Sequence, residues 1–89
     1  MSFVTLTGII QEDGYVLTDD GKKYPLPQRG IDKEGYPEVL INAKSVGGSG
    51  FFYRQSIKPY IGMKAEFVAD PDNIHYGIDY CKILKDNLL

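Results

Sequence analysis

Along residues 3–10, FVTLTGII, the side chains Val4, Leu6, Gly8 and Ile10 alternate with Phe3, Thr5, Thr7 and Ile9. Period-two alternation rich in β-branched residues predicts a strand. Gly8 near its middle predicts a bulge or a tight bend. The turn QEDG (11–14) leads into YVLT (15–18), DDG (19–21) and KKYPL (22–26), which read together as a three-strand meander. Asp13-Gly14 suits a tight hairpin, because glycine accepts a positive φ. Pro25 has no N–H to donate, so the third strand must end there or lie on a sheet edge.

The next stretch, PQRGIDKEGYP (27–37), concentrates proline, glycine and charge and reads as a surface loop. In EVLINAKSV (38–46), Val39, Ile41 and Ala43 alternate with Leu40, Asn42 and Lys44, which predicts a fourth extended segment. GGSG (47–50) is a flexible link, and FFYRQSIKPY (51–60) fits either a strand or a short helical turn. IGMKAEFVAD (61–70) places Met63, Ala65, Phe67 and Ala69 on one face of a strand. After a turn at 71–73, HYGIDYCKIL (75–84) reads as the last strand, with Cys81 a small buried filler.

The predicted class is therefore all-β: a five-stranded, OB-like small barrel, closed or partly open, with a long excursion between strand 3 and strands 4 and 5. One domain over 1–89 divides into a meander (1–26), the excursion (27–60), a C-terminal hairpin (61–84) and a tail (85–89). Edge strands ending at Pro25 and over 75–84 leave open a homodimer formed by strand pairing.

Composition narrows the chemistry. With 43% hydrophobic and 25% charged residues in 89, the chain has the makeup of one globular domain, not of a disordered one. No apolar run approaches the roughly 18–20 residues that span a bilayer, so no membrane association is expected. The opening MSFVTLTG lacks the basic start and apolar stretch of a secretory signal, and the single cysteine cannot form an internal disulfide. A reducing cytoplasm is the expected compartment. A single histidine and a single cysteine supply neither a zinc site nor a nucleophile with its base and orienting group, so no catalytic residue, metal or cofactor is expected. The Asp70-x-Asp72 spacing lacks the remainder of a calcium loop and reads as a solvated turn. GGSG lacks the Lys-Ser/Thr ending of a phosphate loop.

The net charge is −2, unevenly spread. Residues 1–21 carry four acids and no base, and 65–89 carry five acids against two lysines. Residues 22–64 carry eight bases against three acids, a basic middle that could form one positive face or simply coat the surface.

Several residues resemble the cold-shock type of OB-fold. Gly8 in the first strand and Gly14-Tyr15 opening the second stand where that family has a glycine and a Gly-aromatic pair. IGMKAEF is similar to the family's G-x-x-V-x-F through Gly62 and Phe67, and GIDYCKI to its closing strand through Gly77 and Ile83. The resemblance spans about half the chain and implies an OB-like barrel that binds single-stranded nucleic acid. The two base-stacking motifs are degraded. The first keeps one aromatic and loses its leading lysine in Asp13-Gly14-Tyr15-Val16-Leu17-Thr18; the second, Tyr24-Pro25-Leu26-Pro27, has no histidine.

The candidate sites follow from these patterns. If Val16 and Thr18 face the interior, Tyr15 is exposed beside Tyr24, a stacking platform with Lys22 and Lys23 placed for phosphates. Equally, Tyr15 and Tyr24 could be an ordinary cross-strand aromatic pair covering a thin core. Phe52, Tyr53, Arg54 and Lys58 interleave rings with cations, which suits single-stranded DNA or RNA. The same run suits a protein partner, because tyrosine and arginine are enriched at binding hot spots. The expected function is non-catalytic binding of single-stranded nucleic acid. The alternative is a small-barrel module that docks a protein through residues 27–60.

Overall fold

The computed structural model describes residues 3–42, 53–75 and 81–84. They form eight strands: β1 (Val4–Ile10), β2 (Tyr15–Leu17), β3 (Lys23–Pro25), β4 (Gly30–Ile31), β5 (Pro37–Asn42), β6 (Tyr53–Ser56), β7 (Lys64–Ala69) and β8 (Cys81–Ile83). A 3-10 turn, Lys58–Tyr60, links β6 to β7. The strands make one mixed sheet in the order β3-β2-β1-β7-β8-β5-β4, with β6 also on β5. Every pairing is antiparallel except β5 with β8.

β5 is used on both edges. Glu38 pairs with Gly30 and Ser56, and Ile41 pairs with Cys81 and Tyr53. Hence β4 and β8 share one edge of β5, and β6 occupies the other. The sheet curls through 258° into a half-barrel. This corrects the expected five-stranded barrel. The three additional strands, β4, β5 and β6, come from the excursion: β5 is the extended segment that alternation predicts, β4 is only Gly30–Ile31, and β6 is four residues without apolar alternation. β4 and β6 exist because β5 offers them unpaired main-chain groups, a property of the assembled sheet that no local pattern carries.

Period two nevertheless locates the core. Ile10, Val16, Tyr24, Val39, Ile41, Ala65, Phe67, Ala69 and Cys81 are all buried. The first three meet because Ile10 pairs with Val16 and Val16 with Tyr24. The Tyr24 ring then packs against Phe67, centroids 5.3 Å apart. Gly8 is where β1 and β2 come closest: a Cβ there would lie 2.6 Å from the Leu17 carbonyl oxygen and 2.7 Å from Val16 Cγ1. The turn glycines Gly14 and Gly21 adopt φ of 87° and 86°, as the Asp-Gly turns predict.

Three details correct or refine the expectation. β8 lies between β7 and β5, so residues 81–83 are interior and not an edge. Within the predicted 51–60 segment, the described residues are a strand, Tyr53–Ser56, and then a 3-10 turn begun by Lys58-Pro59, since proline suits a first helical position. Asp70 is buried, where a solvated turn was expected; its carboxylate accepts the Asp72 N–H (3.0 Å) and so builds the turn from inside. Ala43, Lys44, Phe51 and Phe52 lie outside the described residues. Among the described residues no helix is long and apolar enough to cross a membrane.

Candidate functional site

The tyrosine pair does not form. In the meander, Val16 faces inward and pairs with Tyr24, so Tyr24 shares the buried face with a relative exposure of 1%. Tyr15 is one residue out of phase, pairs with Pro25 and lies half-buried on the outer face. The expected platform of Tyr15 beside Tyr24 is thereby corrected: alternation puts the two rings on opposite sides of the sheet.

The remaining predicted residues fall in two groups. Lys23, on β3, sits 4.9 Å from the Tyr15 ring centroid and 2.6 Å from Asp13 Oδ2. Lys22 Nζ donates to the Pro71 carbonyl oxygen (3.1 Å). Tyr53 and Arg54 lie on β6, and Arg54 Nε is 3.3 Å from Glu38 Oε1 on β5. Lys58 Nζ is 2.7 Å from Glu34 Oε2 and 5.6 Å from the Tyr36 ring centroid. Phe52 lies outside the described residues. The two groups lie on strands at opposite ends of the strand order.

These pairings set the local electrostatics. The Lys23 ammonium holds the Asp13 carboxyl below the usual carboxylate range, and Glu34 raises Lys58 above the usual lysine value. Asp32 is held low chiefly by the Ser56 hydroxyl, which donates to Oδ2 (2.6 Å), and also by the N–H groups of Tyr36 and Glu34 on Oδ1 (2.8 Å each). Asp32 thereby ties the β4–β5 turn to the end of β6. Cys81 is buried, and desolvation pushes its thiol up to about 12, so it stays protonated and weakly nucleophilic at neutral pH.

The outer face of the meander gathers one further set. Lys23, Leu17, Ile9 and Lys64 follow one another across β3, β2, β1 and β7 in a single register row. Ile9 is 37% exposed. This row places two cations at the ends of an apolar strip next to Tyr15.

A second feature was not anticipated as a site. A cleft of about 400 Å³ opens between Thr5–Thr7 of β1 and the turn Thr18–Asp20, with Tyr24 and Pro71 completing its lining. It arises from a mismatch in strand length: β1 has seven residues, whereas β2 has three and pairs only with Ile9 and Ile10. The Thr18 hydroxyl donates to Asp20, which, together with the Lys22 N–H (3.2 Å), keeps that carboxyl low. The signal was present in the sequence as an eight-residue apolar alternation facing only YVLT before the DDG turn.

Comparison with known protein families, curated proteins and solved structures finds no match for this chain. The fold is an all-β domain with a curled, mixed sheet of barrel-like architecture, consistent with a binding module.

Proposed function

We propose that this chain is a non-catalytic binding module that docks a protein partner through the surface built from residues 27–60. One observation carries the reading: the two most exposed large hydrophobic side chains among the described residues, Ile31 (63%) and Tyr53 (58%), both lie on strands of that excursion, with Arg54 alongside. Exposed tyrosine with arginine is the composition of an interface anchor. The test immobilises the protein and compares the wild type with Tyr53→Ala/Arg54→Ala and with the nearby control Lys33→Ala. Capture of one partner by the wild type and the control, lost in the double variant, is the expected result. Equal capture by all three overturns the reading.

The second reading is single-stranded nucleic acid on the outer face of the meander. The row Lys23–Leu17–Ile9–Lys64 beside Tyr15 favours it, because stacking rings and apolar strips flanked by cations suit single strands. Against it, Lys23 already has a carboxylate partner and Lys22 a carbonyl. A labelled oligonucleotide titrated at low and moderate salt decides. Affinity that falls steeply with salt supports this reading, since neutralised phosphates release counterions; no binding at low salt removes it.

A further inference from the structure

The cleft beside β1 combines three properties that suit a peptide site. The first is an open main-chain edge. The Ile10 N–H donates to Met63 O (3.0 Å), so even-numbered residues of β1 direct their main-chain groups toward β7. The Gln11 N–H donates to Tyr15 O (2.8 Å), so odd-numbered residues direct theirs toward β2. Because β2 pairs only with Ile9 and Ile10, the N–H and C=O groups of Thr7 and Thr5 point past its end, into the cleft. An uncovered row of such groups is a template for another strand.

The second property is a solvent-reaching hydroxyl at the cleft wall. Tyr24 is 99% buried, and its hydroxyl makes no hydrogen bond among the described residues. No buried side-chain nitrogen or oxygen there is left unpaired, so this hydroxyl is the edge of the ring that reaches the cleft. The third property is charge. The wall opposite β1 carries Asp19 and Asp20, both exposed, and Lys22 at the same turn directs its ammonium to the Pro71 carbonyl. An acidic wall repels phosphate and attracts ammonium or guanidinium groups.

We infer that the cleft binds an extended peptide segment that adds as a strand to Thr5–Thr7 of β1, with an apolar residue facing Leu6 and Tyr24 and lysine or arginine facing Asp19 and Asp20. The register follows from the geometry. A strand about 4.8 Å from β1 bonds Thr5 and Thr7, and side chains alternate. The residue between those two bonded positions points inward with Leu6, toward the Tyr24 hydroxyl; its neighbours point outward with the threonines, beside the acidic turn. A cleft of about 400 Å³ is within the range of about 300–1,000 Å³ typical of ligand sites. Strand addition obtains its affinity from main-chain bonds and its selectivity from alternate side chains.

The probe is a fluorescein-labelled six-residue peptide alternating lysine and valine, read by anisotropy and by hydrogen exchange of individual amides. Three controls accompany it: a glutamate–valine peptide, the lysine–valine peptide with alternate amides N-methylated, and a single-stranded oligonucleotide. The expected result is binding of the lysine–valine peptide with new protection of the Thr5 and Thr7 amides. The glutamate and N-methylated peptides should bind at least tenfold more weakly, and the oligonucleotide should not compete. Thr5→Pro removes a donor that faces solvent in the free protein, so it should leave the fold intact and weaken the peptide at least tenfold. Asp19→Lys should weaken it about fivefold and Tyr24→Phe about threefold. If Thr5→Pro unfolds the chain, the N-methylated peptide and the amide protection decide alone. The inference is overturned by an absence of peptide binding at millimolar concentration, by equal binding of the N-methylated peptide, by protection elsewhere than Thr5 and Thr7, or by oligonucleotide competition. Equal binding of the glutamate peptide with Thr5 and Thr7 protected overturns the basic partner.

Discussion

Replacing Tyr24 separates a core residue from a ligand platform by a wide margin. The ring is 1% exposed and packs against Phe67 at 5.3 Å. An aromatic side chain buries about 150–250 Å². At roughly 25 cal/mol per Å² that is about 4–6 kcal/mol of transfer free energy, and large-aromatic-to-alanine changes in cores cost about 3–5 kcal/mol. For a chain of this length the total stability is roughly 4–13 kcal/mol. Tyr24→Ala therefore removes a large share of it and should lower the melting temperature by at least about 12 °C, at about 4–8 °C per kcal/mol. Tyr24→Phe keeps the ring and deletes only a hydroxyl with no hydrogen bond among the described residues, so it should melt within a few degrees of the wild type. Tyr15→Ala loses a half-buried ring and a Lys23 cation–π contact at 4.9 Å, worth about 0.5–1 kcal/mol at exposed sites, and should be much milder than Tyr24→Ala. Circular dichroism melts and urea titrations of the four proteins test the order. Equal losses for Tyr15→Ala and Tyr24→Ala, or a loss below about 1 kcal/mol for Tyr24→Ala, would refute the placement of Tyr24 in the core.

Gly8→Ala should cost about 1–3 kcal/mol, the range for overpacking, because its Cβ would lie 2.6 Å from a backbone oxygen that cannot rotate away; a urea midpoint equal to the wild type's would contradict that close approach. Asp13, Asp20 and Asp32 all titrate below their ordinary value when folded, so the stability they contribute is complete above about pH 4 and is lost as pH falls through their folded values. Melting temperatures measured from pH 6 to pH 2 should fall on the acid side. In Ser56→Ala the Asp32 carboxyl should move up toward the ordinary range, which a carbon-detected NMR titration reads directly. Cys81 should resist a thiol reagent such as dithionitrobenzoate at pH 8 in the native state and react fully in guanidinium, because its thiol is buried and held protonated; fast native labelling would show that β8 does not seal it.

Alternation was sufficient to identify β1, the meander and β7 as strands, and to place Ala65, Phe67 and Ala69 on one face of β7. It did so because period two ties a side chain to one side of the sheet whatever the sheet later pairs with. The same rule, applied to Val16, would have placed Tyr24 inside: the register Val16 opposite Tyr24 follows from a short Thr18–Lys22 turn, and expecting the two tyrosines on one face ignored it. The Pro25 stop and the positive φ of Gly14 and Gly21 were equally local properties, readable from residue chemistry alone.

What the chain's order of residues could not convey was pairing at a distance. β4 and β6 are strands only because β5 presents both edges, and β8 is interior only because it joins β7 to β5. The cations of residues 22–64 were legible, but their carboxylate and carbonyl partners depend on which turns the curl brings together; Lys58 meets Glu34 and Lys22 meets Pro71 across 24 and 49 residues. The cleft is of the same kind. Its acids and threonines are ordinary in sequence, and they become a site because β2 stops short of β1 and leaves main-chain groups unpaired. Local side-chain chemistry determined which segments are extended and which faces are apolar; the curl of the sheet, set by long-range hydrogen bonding, decided which edges remain open.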